Sequence, residues 1–217
     1  MPENQYVIDA ITIKDTWRLF KILAELVDGF EKLTDIYPCV SIFGSARVRP
    51  GDETYEKTVQ IARKLAESGF HIITGGGPGI MEAGNKGAKL GGAKSIGLNI
   101  QLPMEQEPNR YSNISLHFQY FFVRKVMFVK YAQAYIGMPG GFGTLDEIFE
   151  ALTLIQTKRI KPFPVLLVGS DYWNNLWGWI KDTLLTRKLI SPDDLDLVTI
   201  VDEPDEVARI IKRTVIV

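Results

Sequence analysis

The sequence predicts an α/β fold: a Rossmann-like, doubly wound and mostly parallel sheet of about seven strands, with helices on both faces and an extra N-terminal helix. Short apolar segments alternate with longer segments whose apolar residues recur at helical spacing. Most of the short segments are continuously apolar, as in parallel strands buried on both faces. No internal repeat and no linker rich in proline or serine interrupts this pattern. We therefore expect an N-terminal lead-in and helix over residues 1–37, followed by a single Rossmann-like domain over 38–217.

Each element follows from a local signal in the chain. Residues 1–15 form an irregular lead-in, and the spacing of large apolar residues from Trp17 to Phe30 predicts the first helix. The first strand ends at Gly44, and Gly69 stops the helix that precedes the second strand. The predicted strands are 39–43, 70–74, 95–100, 114–118, 134–138, 165–168 and 197–201. The predicted helices are 16–34, 54–68, 80–90, 121–132, one that follows Thr144 and runs to about 158, 172–187 and 204–213; a polar loop with Pro103, Pro108 and Asn109 precedes the fourth strand.

Composition and charge exclude several classes of protein. The chain is 46% hydrophobic and 24% charged, which is typical of a globular protein and excludes disordered and collagen-like chains. Its 25 basic and 26 acidic residues give a net charge of -1, which argues against a dedicated nucleic-acid binder. A single cysteine, Cys39, allows neither an internal disulfide nor a cysteine-rich zinc site. We find no signal peptide and no apolar run of transmembrane length, so we expect a cytoplasmic protein without a membrane partner.

The most informative segment is the glycine-rich stretch 139–147, Pro-Gly-Gly-Phe-Gly-Thr-Leu-Asp-Glu, which lies between a buried strand and a helix. Glycines let the backbone approach a ligand closely, and a helix start offers free N–H groups and a partial positive charge to an anion. The alternative is a plain tight turn in which Thr144 is the N-cap. Three glycines within four residues exceed what a turn needs, so the segment favours an anion site.

A second glycine run, 75–79, also follows a strand, and the carboxyl ends of parallel strands are where such sheets bind ligands. Together the two runs predict one pocket with two polar walls. Neither matches the Walker pattern or the Gly-x-Gly-x-x-Gly dinucleotide pattern, which argues against ATP hydrolysis and nicotinamide chemistry. No combination of histidine, cysteine and carboxylate resembles a metal site, and we expect no metal and no cofactor.

Charged residues near the glycines are candidates for chemistry. Glu147 lies three residues after Thr144, where it either closes a capping box or points a carboxylate at a ligand bound at the helix start. Arg124 and Lys125 lie in a helix whose apolar neighbours predict that it is largely buried, so each needs a carboxylate or a phosphate as partner. Arg47 is either a phosphate ligand or a solvated loop charge.

These motifs resemble those of the Lonely Guy family, whose members are cytokinin riboside 5′-monophosphate phosphoribohydrolases and which has often been labelled lysine decarboxylase. The resemblance covers about residues 38–213. It rests on four segments: Gly44-Ser45-Ala46, the run from Gly75 to Ala83, Arg124-Lys125, and the signature from Pro139 to Glu147. No lysine stands out as a Schiff-base candidate, so nothing in the chain supports pyridoxal chemistry.

The resemblance implies a nucleotide-binding domain that hydrolyses the N-glycosidic bond of a purine nucleoside 5′-monophosphate to a free base and ribose 5-phosphate. It assigns Arg124 and Glu147 as the catalytic pair. The substrate would be AMP or an N6-substituted AMP of the cytokinin type. The implied substrate-binding residues are Gly44, Ser45, Gly75, Gly76, Gly77, Lys125, Gly140, Gly141, Gly143 and Thr144, of which Thr144 and the glycines before it would hold the 5′-phosphate.

Two other functions suit the same fold. Molybdenum-cofactor carrier proteins look similar and share the Gly-Gly-x-Gly-Thr loop, and a nucleotide-sensing regulator would also bind AMP without turnover. The pair Arg124 and Glu147 favours the enzyme. By resemblance the protein is a homodimer or a higher homo-oligomer, with the helices at 16–34 and 121–132 as candidate interface elements.

Overall fold

The computed structural model describes residues 15–101 and 107–215 and shows a seven-stranded sheet flanked by helices. The predicted lead-in, apart from Asp15, and Pro103 of the predicted polar loop lie outside the described residues. The strands are β1 (Cys39–Phe43), β2 (His71–Thr74), β3 (Ser95–Ile100), β4 (Ile114–Phe118), β5 (Ala132–Gly137), β6 (Val165–Val168) and β7 (Val198–Val201). The α-helices are α1 (Asp15–Lys32), α2 (Glu53–Glu67), α3 (Ile80–Leu90), α4 (Phe121–Tyr131), α5 (Phe142–Gln156), α6 (Ser170–Trp179) and α7 (Pro204–Thr214).

The strand order is β4-β3-β2-β1-β5-β6-β7, and every neighbouring pair is parallel. The chain builds outward from β1 to β4 and then returns to place β5 on the other side of β1. The topological switch point therefore lies between β1 and β5, where doubly wound sheets bind their ligands. The predicted fold class is confirmed.

Apolar side chains cover both faces of the sheet, as the continuously apolar strands predict. On one face α2, α3 and α7 pack over residues such as Val40, Ile42 and Ile136. On the other face α1, α4, α5 and α6 pack over residues such as Phe43 and Tyr135. The candidate catalytic residues belong to helices of this second face.

Two predicted elements differ in their bounds or type from the structure, and one observed element was not predicted. The helix predicted over 172–187 is α6 followed by a π-helical segment, Ile180–Leu185. A 3₁₀ helix over Pro192–Leu197 was not predicted; Ser191 and Asp194 form its capping box. The strand predicted over 134–138 begins two residues earlier because α4 ends at Tyr131 and the chain enters β5 without a loop.

Helix α4 is less buried than the sequence predicts. Val123, Met127 and Phe128 face the core, but Phe121 and Phe122 are each 49% exposed and Val126 is 42% exposed. Helix α1 likewise leaves one apolar side uncovered, with Trp17 72% exposed. Within the described part of the chain, no helix has the length and apolar character needed to cross a membrane.

Candidate active site

A cavity of about 680 Å³ opens at the carboxyl ends of β1 and β5, at the switch point of the sheet. Its floor is formed by the residues that directly follow β1, β2 and β5. Of the residues that the sequence predicts for the site, those that line this cavity are Gly44, Ser45, Gly75, Arg124, Gly140, Gly141, Gly143, Thr144 and Glu147. Gly76, Gly77 and Lys125 are not part of the lining.

The turn from β5 into α5 is held against the end of β1. The Met138 amide donates to the Phe43 carbonyl at 2.8 Å, and the Ser45 amide donates to the Pro139 carbonyl at 3.0 Å. Gly140 fits here because it has no side chain, since a Cβ at this position would overlap Thr144 Oγ1. These contacts fix the conformation of the turn, and the start of α5 lies at the cavity as a result.

Gly141 and Gly143 have no such packing reason to be glycine. A Cβ built on either residue meets no atom within 4 Å, and neither residue has a positive φ. The missing side chains instead leave open space in front of the first turn of α5, where the N–H groups of Phe142 and Gly143 have no intrahelical acceptor. The arrangement suits an anion that sits against this backbone and the positive end of the helix.

The interpretation of Thr144 and Glu147 as a helix cap is wrong. The N-cap of α5 is Gly141, which carries no side-chain cap, and Thr144 lies within the helix with only 5% of its surface exposed. Glu147 is one turn further along, is 4% exposed, and its carboxylate contacts Arg124. Its carboxylate is thus available for the cavity.

Arg124 and Glu147 meet in the wall of the cavity. Arg124 Nη2 lies 3.4 Å from Glu147 Oε1, and the two side chains are only 13% and 4% exposed. The guanidinium also lies over the rings of Phe121 and Phe128, with centroid distances of 5.2 and 5.7 Å. Arg124 Nε and Glu147 Oε2 are buried without a hydrogen-bond partner. Each member of the pair therefore retains one polar atom that a ligand could satisfy.

Burial changes the acid–base properties of the pair. Desolvation raises the pKa of Glu147 to about 7, although the positive charges of Arg124 and Lys125 partly oppose the shift. Burial also lowers the pKa of Arg124, while Glu147 and Asp146 act in the opposite direction. A carboxyl group with a pKa near neutrality can either accept or donate a proton at physiological pH.

The second glycine run lies beside the pair. An added Cβ on Gly75 would lie 3.8 Å from Arg124 Nη1. Gly76 instead packs against the side chain of Asn99, and its backbone takes part in a polar network. Asn109 Nδ2 donates to the carbonyls of Gly76 and Gly77 and to Asn85 Oδ1, and Thr74 Oγ1 donates to the same Asn85 oxygen at 2.6 Å. The sequence offers no signal for this role of Asn109, because its contacts span 24, 32 and 33 residues.

Lys125 points away from the cavity. Its ammonium group lies 2.7 Å from Glu150 Oε2 and 3.0 Å from Asp146 Oδ2. It lines a separate cavity of about 800 Å³ at the amino ends of the strands, near Gln133 and Phe163. Lys125 therefore lies outside the cavity that Arg124 and Glu147 line, although its charge acts on the pKa of Glu147.

Apolar and aromatic residues that are not among the predicted site residues complete the lining of the cavity. Met81, Ile100 and Phe128 line one part, and Tyr172 donates its hydroxyl hydrogen to the Gly140 carbonyl. Arg47 also lines the cavity. Met81, Ile100, Phe128 and Tyr172 give the cavity an apolar surface next to the open start of α5, and a mostly apolar lining with a few polar groups is typical of ligand pockets.

The chain matches known proteins over most of its domain. Residues 81–211 match the model of a family described as "Possible lysine decarboxylase". A probable cytokinin riboside 5′-monophosphate phosphoribohydrolase from Oryza sativa subsp. japonica is 32% identical over 142 residues, which are 62% of this chain and 55% of that protein. A cytokinin riboside 5′-monophosphate phosphoribohydrolase from Arabidopsis thaliana is 29% identical over 162 residues, covering 71% of this chain and 70% of that one.

Solved structures share the fold at lower identity. The molybdenum cofactor binding protein from Rippkaea orientalis superposes with a TM-score of 0.59 at 24% identity, covering 81% of this chain and 96% of that one. The molybdenum cofactor carrier protein from Chlamydomonas reinhardtii gives a TM-score of 0.60 at 19% identity, covering 82% and 97%. These neighbours show a common architecture.

Proposed function

The chain belongs to the family described as "Possible lysine decarboxylase", and its motifs resemble those of the Lonely Guy family; we propose that it hydrolyses the N-glycosidic bond of a purine nucleoside 5′-monophosphate. The substrate is AMP or an N6-substituted AMP, and the products are the free base and ribose 5-phosphate. The proposal rests on one observation: a buried Arg124–Glu147 pair stands beside a helix start kept open by two glycines. Among the described residues that line the cavity none is lysine, so the site offers no amine for the Schiff base of an amino-acid decarboxylase.

The 5′-phosphate binds at the start of α5. The N–H groups of Phe142 and Gly143 donate to it, and the helix adds a favourable field worth on the order of 1 kcal/mol. This anchor lies away from the bond that breaks, so its binding energy can position the ribose for reaction.

In this proposal the ribose lies against the part of the cavity wall that contains Glu147. When the bond between C1′ and the base nitrogen breaks, its electron pair leaves with the base and positive charge develops on the ribose. An ionised Glu147 stabilises that charge and accepts a proton from the water that adds to C1′; the proton finally neutralises the departing base. Arg124 donates to Glu147 Oε1 and holds that carboxylate in place.

Product analysis tests the proposal. Purified protein is incubated with AMP, with isopentenyladenosine monophosphate and, as a control without the phosphate anchor, with adenosine. We expect free base and ribose 5-phosphate from the monophosphates and at least about 100-fold less base from adenosine. Release of inorganic phosphate in place of base, or no turnover of either monophosphate, would overturn the proposal.

A carrier of a phosphorylated pterin is the second candidate, because molybdenum cofactor proteins share the architecture. A carrier needs the anion site but has no use for a buried carboxylate with a raised pKa beside it. The same experiment separates the two functions: a carrier retains a phosphorylated ligand through gel filtration and releases no base from AMP.

The proposal includes a homo-oligomer, at least a homodimer. Helices α1 and α4 expose a row of large apolar side chains: Trp17, Phe20, Leu23, Val27, Phe30, Phe121, Phe122 and Val126. Exposed large apolar side chains on two helices that pack against each other are typical of an interaction surface. Light scattering coupled to size exclusion, with Leu23→Asp as the disrupting variant, tests this assignment; a monomeric wild-type protein would contradict it.

A further inference from the structure

A carboxylate of the extra helix α1 reaches the short segment that leads into α4, the helix that carries Arg124. Glu25 Oε1 accepts a hydrogen bond from the Gln119 amide at 2.8 Å, and Oε2 accepts one from the Tyr120 amide at 3.4 Å. These two residues form the whole connection between β4 and α4. Glu25 is half-buried and lies 94 residues from Gln119 in sequence, so this contact is made by the tertiary fold.

Helix α4 needs an external anion at its start. Its N-cap, Tyr120, provides no side-chain cap, and its first turn contains no acidic residue. Arg124 and Lys125 instead place two positive charges close to the positive end of the helix, which is unfavourable. The Glu25 carboxylate offsets this charge, and it accepts hydrogen bonds from the amides of the N-cap residue Tyr120 and of Gln119 before it.

A short chain of hydrogen bonds links Glu25 to Arg124. The Tyr120 amide donates to Glu25, and the Tyr120 carbonyl accepts the hydrogen bond from the Arg124 amide at 3.3 Å. One turn further along, Gly29 of α1 touches the side chain of Met127, where an added Cβ would lie 2.6 Å from the Met127 methyl carbon. Helix α1 therefore fixes the start of α4 at the backbone that supports Arg124.

We infer that Glu25 is a positioning residue for Arg124, so that the N-terminal helix sets the geometry of the Arg124–Glu147 pair. This rests on the proposed function as far as turnover is concerned. Glu25 touches neither the cavity nor Glu147, so it acts through the placement of α4.

The test compares Glu25→Ala with Glu31→Ala in the full chain, since Glu31 is an exposed residue of the same helix. In Glu25→Ala the start of α4 moves and Arg124 loses its alignment with Glu147, so kcat falls by about 10- to 100-fold. KM changes little, because the phosphate anchor is on α5. The Glu31→Ala control keeps the wild-type kcat. Glu25→Gln, which retains one acceptor oxygen, recovers part of the loss.

A second readout does not depend on turnover. The Glu147 carboxyl is titrated by carbon NMR in the protein without ligand. Beyond the effect of burial, Arg124 and Lys125 from α4 lower the pKa of this carboxyl, and Glu150 and Asp146 from α5 raise it. Tyr135 from β5 also faces it. Loss of Glu25 moves Arg124 and raises the Glu147 pKa further. If Glu25→Ala does not fold, Glu25→Gln carries both measurements.

Two results are decisive. A lower kcat with a displaced Glu147 titration, and neither change in Glu31→Ala, supports the inference. A reduced melting temperature with unchanged kcat and unchanged Glu147 titration overturns it, since Glu25 is then only structural. Should the wild type hydrolyse no monophosphate, the proposed function fails, and the titration alone decides the role of Glu25.

Discussion

Arg124 and Glu147 meet at 3.4 Å although 23 residues separate them, because each lies near the start of a helix at the same edge of the sheet. Helix α4 begins where β4 ends and α5 begins where β5 ends, and in a parallel sheet those ends face the same side. The pair is nearly closed to solvent, yet it borders a cavity that also contains the open start of α5. Its charges are therefore weakly screened and act strongly on a bound ligand.

The pH dependence of turnover reports on Glu147. Because burial raises its pKa to about 7, the carboxylate that stabilises the ribose forms only as pH rises through that value. We predict that kcat/KM increases tenfold per pH unit below about pH 7 and becomes constant above it. Initial rates between pH 5 and 9 check this; a rate that is flat down to pH 5 would exclude ionised Glu147 as the active form.

Replacing Glu147 by glutamine separates function from stability. The folded-state pKa of Glu147 is raised above its ordinary value of 4.5, so its contribution to stability is present below about pH 4.5 and is lost as pH rises through about 7. Glutamine does not ionise. We predict that Glu147→Gln abolishes turnover, still binds AMP, and is more stable than wild type at pH 8 by on the order of 3 kcal/mol.

Urea denaturation at two pH values measures this difference. The two proteins should have nearly the same free energy of unfolding at pH 4.5. A Glu147→Gln protein that is less stable than wild type at pH 8 would show that the carboxylate has a structural role.

The glycines at the start of α5 should divide into two groups. Gly143→Ala adds a methyl group to open space in a helix, so the melting temperature should stay the same or rise, whereas affinity for AMP should fall by about tenfold or more. Gly140→Ala is the matched contrast, because its Cβ would overlap Thr144 and should destabilise the fold. Calorimetric titration with AMP and thermal melts check both, and unimpaired AMP binding by Gly143→Ala would place the phosphate elsewhere.

The neighbouring cations Arg124 and Lys125 should behave differently. Arg124→Met removes the main charge that lowers the Glu147 pKa, so the acid limb of the rate profile should move above pH 7 and kcat should fall. Lys125→Met removes the ion pairs with Glu150 and Asp146, so it should reduce stability and leave KM for AMP within about twofold. A large rise in KM for Lys125→Met would show that this lysine reaches the substrate after all.

Local signals predicted much of the fold. Strands such as Cys39–Phe43 and Ser95–Ile100 are continuously apolar and bounded by turn residues, and the structure places them at the predicted positions. The bounds of α6 were missed because Trp179 and Ile180 continue the helical spacing while the backbone changes to a π-helix. Periodicity of side chains does not distinguish the two conformations.

Long-range contacts limited what could be predicted of the site. Arg124 and Glu147 were identified as candidates, but two adjacent basic residues look alike in sequence, and only the structure shows that Lys125 turns toward Glu150. Likewise Glu25 gave no local signal, because its partners are the backbone amides of residues distant in the chain. Because every residue except proline has a backbone amide, the residue types at 119 and 120 do not reveal a contact with Glu25.

The most direct test of the account is a side-by-side incubation of wild type and Glu147→Gln with AMP at pH 8, in which adenine, ribose 5-phosphate and unreacted AMP are quantified together. We predict that wild type releases adenine and ribose 5-phosphate in equal amounts, and that Glu147→Gln binds AMP and returns it intact. Equal turnover by the two proteins, or AMP that remains bound and uncleaved by wild type, would contradict the assignment of this pocket as a phosphoribohydrolase site.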